Sequence, residues 1–493
     1  MLREGEAMAY RAQKQSSKKR KKPVKRSGIR RVEQQVITTS SPLYALVDDY
    51  CFRAKNVYNA TNYICRQQFF SAKTFPDKGT LLKLVPLEPC YDEFKGLART
   101  FQEIVNLVFL SWKSYEKLED KYRKDPASLK GEPRIPRYKH KVNGRAPISF
   151  TYQQLKESCG YISFPQEFCL DGKPVKIKSC SKGALMQVRI IPKTGYYVLE
   201  IIRLLPLPKK KSDNGRYLGI DPGVDNVCAV ASNCGLKPLL VSGRALKTIN
   251  QMYNKLIAEY RAKWDKLNKD SLNRQLMEKG LPYKKSSKRI DALQRNRVRR
   301  IDSILHKISR LIADYAEQNN ICKIVIGKNV DWKQGTHMGK VSNQNFVCIP
   351  IARLIEMIKY KAEEYGIEVI TIDEKHTSGT SFWDGEEPVK EFYNKSRRVT
   401  RGLFKANDGT LINADINAAC QIIRKALPNA FAKHTLRVNG SLGTMCNAGG
   451  SVEGICGNPV SLRHYGTYES VKKALLSPVR LEAGETSGAY NLP

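Results

Sequence analysis

The chain has 493 residues, of which 85 are lysine or arginine and 47 are aspartate or glutamate, so its net charge is +38. A charge this large predicts a polyanionic partner, and nucleic acid fits best because each neutralised phosphate releases counterions. A membrane-surface protein and a ribosomal-type protein are the simpler alternatives. No run of about 18 apolar residues occurs, so we expect no membrane-spanning helix, and the polar, then basic, N-terminus predicts no signal peptide.

Thirteen cysteines and six histidines are scattered along the chain, and no C-x-x-C pair occurs. Single cysteines of this kind predict buried thiols in a reducing compartment rather than disulfides. The same dispersal predicts no structural zinc site, because such a site needs a cluster of cysteine and histidine ligands. We therefore expect a cytoplasmic, nucleoid-associated protein of a prokaryote, or a nuclear protein if the source is eukaryotic.

Residues 1–31 are a basic N-terminal segment that includes the run "SSKKRKKPVKRSGIRR". Its composition predicts disorder, and its charge predicts binding to phosphate without sequence preference. The residues expected to make these contacts are Lys18, Lys19, Arg20, Lys21 and Lys22. A nuclear localisation signal and an expression tag are alternative interpretations of this segment.

A small β-barrel with a helical insertion is predicted next. Residues 32–42 and 129–211 have the short alternating segments of strands, and residues 43–128 have a helical pattern. An apolar stripe in the helical part is more typical of a core than of a base-stacking surface: Phe101, Ile104, Val105, Val108, Phe109 and Trp112. The proline-punctuated loop "GEPRIPRYKHK" supplies three further residues expected to contact nucleic acid: Arg134, Arg137 and Lys139.

Residues 215–425 have the element order of an RNase H-like α/β fold. Three antiparallel strands start near Tyr217, and a charged helical stretch follows from about residue 246 to 318. The strand "KIVIG", a helix, the strand "IEVITID" and a last helix from about residue 413 to 425 complete the unit. Residues 426–493 are rich in glycine, serine and asparagine and are expected to be poorly ordered. The predicted class is thus a multidomain α+β protein.

Acidic residues stand at the ends of three apolar elements in this region. Asp221 ends the strand "YLGID", Asp373 and Glu374 follow "IEVITI", and Asp415 lies in the first turn of the last helix. These acids can converge because strand ends of an α/β sheet meet along one edge. Several carboxylates at one point suit phosphodiester hydrolysis by two Mg²⁺ ions about 4 Å apart. Alternatively, strand-end acids are common, and a helix-start aspartate is often only a cap.

The sequence resembles TnpB, the transposon-associated, RNA-guided DNA endonuclease family that is ancestral to compact type V CRISPR effectors. The resemblance is dense from about residue 217 to 426, in segments such as "LGIDPGVDNVCAVAS", "VIGKNVDWKQG" and "RGLFKANDGTLINADINAACQIIRKA". It implies a wedge-type β-barrel with an inserted helical recognition domain, followed by a RuvC nuclease domain of RNase H fold. It also implies a guide RNA, a double-stranded DNA target beside a short adjacent motif, and a single RuvC site that uses Mg²⁺, for which Mn²⁺ can substitute.

By this resemblance, the catalytic and metal-binding residues are Asp221, Glu374 and Asp415. Further contacts to nucleic acid are expected from Lys247, Asn254, Lys255, Arg398 and Arg401. Many family members carry a four-cysteine zinc ribbon before the last aspartate, whereas residues 376–409 contain no cysteine. The chain therefore departs from the family here, and a degenerate, zinc-free insert is predicted.

A second departure is that the strand "KIVIG" ends without an acid, and we expect Glu374 to supply the missing carboxylate, as in a subset of the family. In an RNase H-like sheet the strand ending at Gly327 lies beside the Asp221 strand, and the strand before Glu374 lies one place further out. Glutamate is long enough to reach past an intervening strand about 4.8 Å wide, and Gly327 leaves the space open. Asp331 is the alternative, although its turn-like segment is more typical of a backbone cap.

The predicted function is RNA-guided cleavage of double-stranded DNA by a Mg²⁺-dependent endonuclease. A nuclease-inactive relative that represses transcription through guided DNA binding is one alternative, but such a chain should lack one of the acids. A transposase or resolvase that acts without RNA is the other. The barrel with its helical insertion, which precedes the nuclease-like region, argues against it.

Overall fold

The computed structural model describes residues 28–129, 131–268, 288–328, 349–400, 402–431, 433–438, 441–446 and 459–462, together with positions 275 and 278. The chain divides into two compact units, Met1–Leu207 and Pro208–Pro493. Both units combine helices with sheets, which confirms the predicted multidomain α+β class. Within the described ranges, no helix is long and apolar enough to cross a membrane.

In the described part of the first unit, three helices accompany an antiparallel sheet. The helices are α1 (Tyr44–Ala72), α2 (Lys78–Leu84) and α3 (Ala98–Lys124). The strands are β1 (Ile29–Ile37), β2 (Ile148–Thr151), β3 (Lys156–Ser158), β4 (Tyr161–Ser163), β5 (Cys169–Leu170), β6 (Lys173–Pro174), β7 (Lys176–Lys178), β8 (Ala184–Lys193) and β9 (Tyr196–Leu205). The main sheet has the order β1–β9–β8–β2, and β3–β4–β7 and β5–β6 form smaller sheets.

The apolar stripe of α3 is part of the core of the first unit. All of its members except Phe109 are buried, and Phe109 packs against the same core. Trp112 is fully buried and its indole N–H donates to Asn62 Oδ1 at 2.8 Å, so its one polar group is satisfied. Burial of such a side chain stabilises the fold by about 2–3 kcal/mol. The prediction that the stripe is core is confirmed.

A six-stranded sheet organises the second unit. Its strands and those of the smaller sheets around it are β10 (Tyr217–Asp221), β11 (Asn226–Ser232), β12 (Leu239–Ser242), β13 (Lys323–Gly327), β14 (Glu368–Ile372), β15 (Arg398–Thr400), β16 (Leu403–Lys405), β17 (Leu411–Asn413), β18 (Lys433–Val438), β19 (Ser441–Cys446) and β20 (Val460–Leu462). The order of the main sheet is β14–β13–β10–β11–β12–β20. β10, β11 and β12 form an antiparallel meander, whereas β13 and β14 run parallel to β10. The strand ending at Gly327 therefore lies beside the Asp221 strand, with β14 one place further out, as predicted.

Helices cover both faces of this sheet: α4 (Arg244–Asn268), α5 (Lys288–Gln318), α6 (Ile351–Glu363) and α7 (Ala414–Ala426). Alternate residues of a strand point to opposite faces. On β11, Cys228 and Val230 accordingly join one core with apolar residues of α5 and α6. Ala229 and Ala231 join a separate core with α7.

Gly219 allows α7 to lie directly on β10. A Cβ atom at this position would overlap the backbone oxygen of Ala419 and would stand only 2.6 Å from Ile423 Cγ1. A side chain at Gly219 would therefore force the helix away from the strand. The close approach brings the start of α7, with Asp415, towards the end of β10, with Asp221.

The insert before α7 contains the three-stranded sheet β15–β16–β17. Arg397 donates from Nη1 to Glu386 Oε1 at 2.6 Å and from Nη2 to Asp384. The side chains of Arg397, Asp384 and Glu386 are only 12–14% exposed. Trp383 Nε1 donates to Asp408 Oδ2 at 2.9 Å and ties the two ends of the insert together.

Three strands lie in the C-terminal region that the sequence predicts to be poorly ordered. Residues 433–446 contain the hairpin β18–β19. β20 pairs in parallel with β12, where Leu462 is buried, and Phe431 packs into the core under α7. The region from residue 426 onward therefore includes three strands that the sequence analysis did not predict. A strand of three residues in a glycine-rich sequence has no periodicity that could reveal it.

Candidate active site

Asp221 is the last residue of β10, in the middle of the six-stranded sheet. Leu218 and Ile220 anchor this strand in the core, and Asp221 pairs with Ala229 of β11. Asp221 as a residue keeps some exposed surface, because the chain leaves the sheet immediately after it, although its carboxylate is desolvated by the surrounding protein. The strand therefore presents a fixed carboxylate at its end.

Asp415 lies in the first turn of α7, but Asn413 is the cap of this helix. Asn413 Oδ1 accepts the backbone N–H groups of Asp415 and Ile416, each at 3.1 Å. This arrangement leaves the Asp415 carboxylate for other partners. Asn226, at the start of β11, donates from Nδ2 to Asp415 Oδ2 at 2.9 Å. The alternative that Asp415 is only a cap is therefore wrong.

Glu374 follows the end of β14 by two residues. Its backbone oxygen accepts the N–H of Thr377 at 3.1 Å and the Thr377 hydroxyl at 2.7 Å, which fixes the turn. Glu374 Oε2 lies over the end of β13, since it would be 3.1 Å from a Cβ atom placed on Gly327. Asp373 turns elsewhere, and its Oδ1 accepts the N–H of Lys375 at 3.2 Å.

Asp221, Glu374 and Asp415 line one open cleft with a volume of about 420 Å³. Burial, and then the negative charges of Glu374 and Asp415, raise the pKa of Asp221 well above its ordinary value, while the positive charge of Arg398 acts in the opposite direction. Crowding of like charges at one point is costly unless a proton or a cation compensates it. The cleft therefore has the electrostatics of a cation site.

The donor set of the cleft fits Mg²⁺, which prefers carboxylate oxygens and keeps several of its waters. A divalent ion here would offset the repulsion that raises the pKa of Asp221. Within the described ranges, no three acidic, cysteine or histidine side chains stand close enough together to enclose an ion. The three acids therefore line an open cleft and do not form a closed ligand cluster in this structure.

Two of the predicted nucleic-acid contacts lie at this cleft. Arg398, the first residue of β15, places Nη2 at 3.5 Å from Asp415 Oδ1 and lines the cleft. Lys247 of α4 forms an ion pair with Asp225, and Asp225 lines the cleft. Asn254 and Lys255 lie further along α4, and neither lines the cleft. The structure therefore brings only part of this predicted set together.

Arg134, Arg137 and Lys139 belong to the first unit, in a stretch without helix or strand. Asn59 of α1 fastens this stretch by two hydrogen bonds to the Lys139 backbone, at 2.8 Å to its N–H and at 3.0 Å to its oxygen. Asn62 also donates to Pro136 O at 3.1 Å. The Arg134 and Arg137 side chains remain exposed, so they are accessible to a phosphate backbone.

Seven residues considered in the sequence analysis lie outside the described part of the chain: Lys18, Lys19, Arg20, Lys21, Lys22, Asp331 and Arg401. Sequence reasoning missed Asn226 as a partner of Asp415. Its signal was its position, because the first residue of the strand that returns beside β10 must lie near the end of β10.

Two family models match separate parts of this chain. One is described as "Probable transposase" and matches residues 197–333, and the other is described as "Cas12f1-like, TNB domain" and matches residues 352–422. Asp221 lies in the first match, and Glu374 and Asp415 lie in the second. The TnpB-like protein ORF457 of Acidianus two-tailed virus is 23% identical, and the match covers 75% of this chain and 81% of the viral protein.

Two solved structures show more distant similarity. A Cas12f1–sgRNA–target DNA complex is 16% identical, with 80% of this chain and 100% of that chain covered and a TM-score of 0.32. Alicyclobacillus acidoterrestris C2c1 in complex with single-guide RNA is 10% identical. The match covers 83% of this chain and 73% of C2c1, with a TM-score of 0.35. The family models and the viral relative, rather than these structures, confirm the resemblance predicted from the motifs. The chain is therefore similar to TnpB-like proteins over both matched parts.

Proposed function

We propose that this protein is an RNA-guided endonuclease that cuts double-stranded DNA beside a short adjacent motif through a single two-metal site. The observation that supports this proposal most is the convergence of Asp221, Glu374 and Asp415 on one cleft. The three acids come from segments far apart in sequence and repel one another, which raises the pKa of Asp221. A structural role would not favour such an arrangement, whereas binding of divalent cations would.

In this proposal the second unit contains a RuvC nuclease domain at residues 215–425. Its strand order β14–β13–β10–β11–β12, with a meander followed by two parallel strands, agrees with the RNase H-like order expected from the sequence. Residues 376–409 are its zinc-free insert. Residues 32–42 and 129–211 would form the wedge-type barrel, and residues 43–128 would form the helical recognition domain.

Two Mg²⁺ ions bound by the three carboxylates would supply an activated water and stabilise the leaving oxygen. The chain's own residues prepare the site for this chemistry. Asn226 orients the Asp415 carboxylate through its hydrogen bond, and the turn at Thr377 orients Glu374. Arg398 brings a positive charge to the same cleft, where it can neutralise a phosphate oxygen.

The proposed partners are a guide RNA and a double-stranded DNA target. The net charge of +38 supports two large polyanions, and the similarity to TnpB-like proteins supports an RNA-guided or transposase-associated role. Base pairing of the guide would read the target sequence, while the protein contacts phosphate backbones and the adjacent motif. Such a protein would act on nucleoid DNA in the cytoplasm.

The direct test is cleavage of a matched DNA target by the purified protein with its RNA. Sequencing of co-purified RNA identifies the guide. Cleavage should require Mg²⁺ or Mn²⁺ and cease in EDTA. Asp221→Ala and Asp415→Ala should each lower the rate at least about a thousandfold. Guided DNA binding should survive both changes, because phosphate contacts dominate it.

Asp373→Ala is the matched control, because Asp373 precedes Glu374 but does not line the cleft. It should cut at nearly the parent rate. Guided binding without cleavage by the parent protein would instead indicate the nuclease-inactive repressor, and DNA cutting without RNA would indicate a transposase or resolvase. Cleavage by Asp221→Ala at the parent rate would disprove the assignment of the metal site.

A further inference from the structure

A second groove lies in the second unit, between the first turns of α4 and the middle of α5. Its volume is about 670 Å³. Two arginines, three hydroxyl side chains and three apolar side chains line it: Arg244, Arg300, Ser242, Thr248, Ser303, Ala245, Ile249 and Ile304. Both arginine side chains are exposed, and among the described residues neither forms an ion pair with an acid. The groove therefore combines an apolar floor with uncompensated positive charge.

The charge of α5 is concentrated beside this groove. Residues 289–300 contain five arginines and one aspartate. Arg297 is engaged within the helix pair, because its guanidinium lies 4.9 Å from the centre of the Tyr253 ring and its Nε donates to Asn250 Oδ1 at 2.8 Å. Arg300 has no such partner among the described residues and faces the groove. An excess of this kind suits a polyanion.

The start of α4 connects a residue of the acid cleft with a residue of the groove. Asp225 lines the cleft, and its backbone oxygen accepts the N–H of Gly243 at 2.7 Å. Lys247, one turn further along α4, forms an ion pair with the Asp225 side chain. Gly243 directly precedes Arg244, which lines the groove. A strand that leaves the cleft past Asp225 would therefore meet Lys247 and then the groove.

We infer that this groove binds the sugar–phosphate backbone of the DNA strand that is cut, on one side of the scissile phosphate. This inference rests on the proposed function and adds a substrate-binding subsite to it. The two arginines neutralise phosphates, and the Ser303 hydroxyl donates to a phosphate oxygen, whereas the Thr248 hydroxyl donates to the backbone oxygen of Arg244 at 3.1 Å. Ile249 and Ile304 provide an apolar surface for the sugars.

The test measures binding of single-stranded oligodeoxynucleotides to the full chain with its co-purified RNA. The Asp221→Ala background prevents cleavage. Addition of Arg244→Ala and Arg300→Ala should weaken binding of a long oligonucleotide about tenfold. The slope of log K against log salt should fall by about 1.4, since each lost single-strand phosphate contact removes about 0.7. An oligonucleotide too short to extend beyond the cleft should bind equally to both proteins.

Arg299→Ala is the matched control, because this exposed arginine is adjacent in sequence but does not line the groove. An equal loss of binding with this control would overturn the inference. So would a larger effect on RNA of the same sequence or on the retained guide, which would make the groove an RNA site. A change in sedimentation would make it a protein interface. Because binding is measured without cleavage, failure of the parent protein to cut DNA would count against the acid cleft only.

Discussion

The carboxylate of Glu374 lies against Gly327, the last residue of β13. A Cβ atom on Gly327 would be 3.1 Å from Glu374 Oε2 and 3.3 Å from Glu374 Cβ. Gly327 pairs with Ile372, two residues before Glu374, so the glutamate returns over the end of the neighbouring strand. Because Gly327 has no side chain, the carboxylate of Glu374 can lie over the end of β13.

Gly327→Ala should displace Glu374 by a few tenths of an ångström and lower DNA cleavage about tenfold, because a misplacement of about 1 Å in a catalytic group costs about a hundredfold. The new Cβ would also stand 2.7 Å from Ile422 Cδ1. We therefore expect a loss of about 1–3 kcal/mol in the free energy of unfolding from overpacking. Cleavage assays and urea unfolding measure the two effects separately.

The variant Gly327→Ala with Ile422→Val separates these causes. Valine lacks the Cδ1 atom, so the clash with α7 is relieved, whereas the contact with Glu374 persists. Stability should recover and cleavage should remain low. Full recovery of cleavage in this double variant would show that the position of Glu374 does not matter.

Glu374→Gln should eliminate cleavage of a matched target, while Asp331→Asn should leave most of it. Glutamine keeps the length of the side chain but removes the negative charge that a divalent cation needs. Asp331 lies outside the described residues, so the paired variants test it directly against Glu374. Loss of cleavage with Asp331→Asn, and not with Glu374→Gln, would assign the third carboxylate to Asp331.

The insert should be stabilised by Arg397 and not by zinc. Arg397→Ala leaves two largely buried carboxylates, Asp384 and Glu386, without their shared partner. Removal of one member of a buried ion pair costs about 3–5 kcal/mol, so hydrogen exchange across residues 376–409 should accelerate strongly. Lys390→Ala, on the exposed surface of the same insert, is the control. One zinc per chain by elemental analysis, or faster exchange of the parent insert after chelation, would contradict this prediction.

The first unit should lose stability in acid through Asp48. Arg145 donates to both oxygens of Asp48 at 2.8 Å, and Tyr197 donates as well, and these bonds lower the pKa of Asp48. Because the pKa of Asp48 is lower in the folded chain than in the unfolded chain, its ion pair adds to the free energy of unfolding. This stabilisation is complete above the ordinary pKa of aspartate. The stabilisation is lost as the pH falls through the pKa that Asp48 has in the folded chain.

Asp48→Asn should therefore reduce stability at neutral pH by about 1 kcal/mol, because a partly exposed ion pair contributes little more. The difference from the parent should shrink as the pH falls. Hydrogen exchange of peptides from α1 and β9 measures this change within the first unit. A difference that is constant with pH would assign the effect to packing instead.

Strong periodicity explains why much of the second unit could be predicted. The strands β10 and β13 are short apolar runs that end at turn residues, and α7 has apolar residues at helical spacing. Their order predicted which strands are neighbours, and the reach of a glutamate predicted the placement of Glu374 beside Gly327. These inferences needed only local patterns and the geometry of a sheet.

The contacts that sequence reasoning missed depend on pairs without a periodic pattern. Arg397 contacts Asp384 and Glu386 across an irregular segment, and many basic and acidic residues nearby would satisfy the same chemistry. The hydrogen bond from Asn226 to Asp415 joins residues 189 positions apart. Only the packed fold, in which Gly219 brings α7 against β10, determines that these partners meet.

The pairing of β12 with β20 has a consequence for synthesis of the chain on the ribosome. β12 ends at Ser242, whereas its outer neighbour starts only at Val460. At about 5–20 residues per second, roughly 10–45 s separate the emergence of the two strands. During this time β12 is an unprotected edge that can pair with other chains. Nascent chains that stall or terminate within this interval should aggregate through β12, and a chaperone that shields this edge should raise the yield of full-length protein.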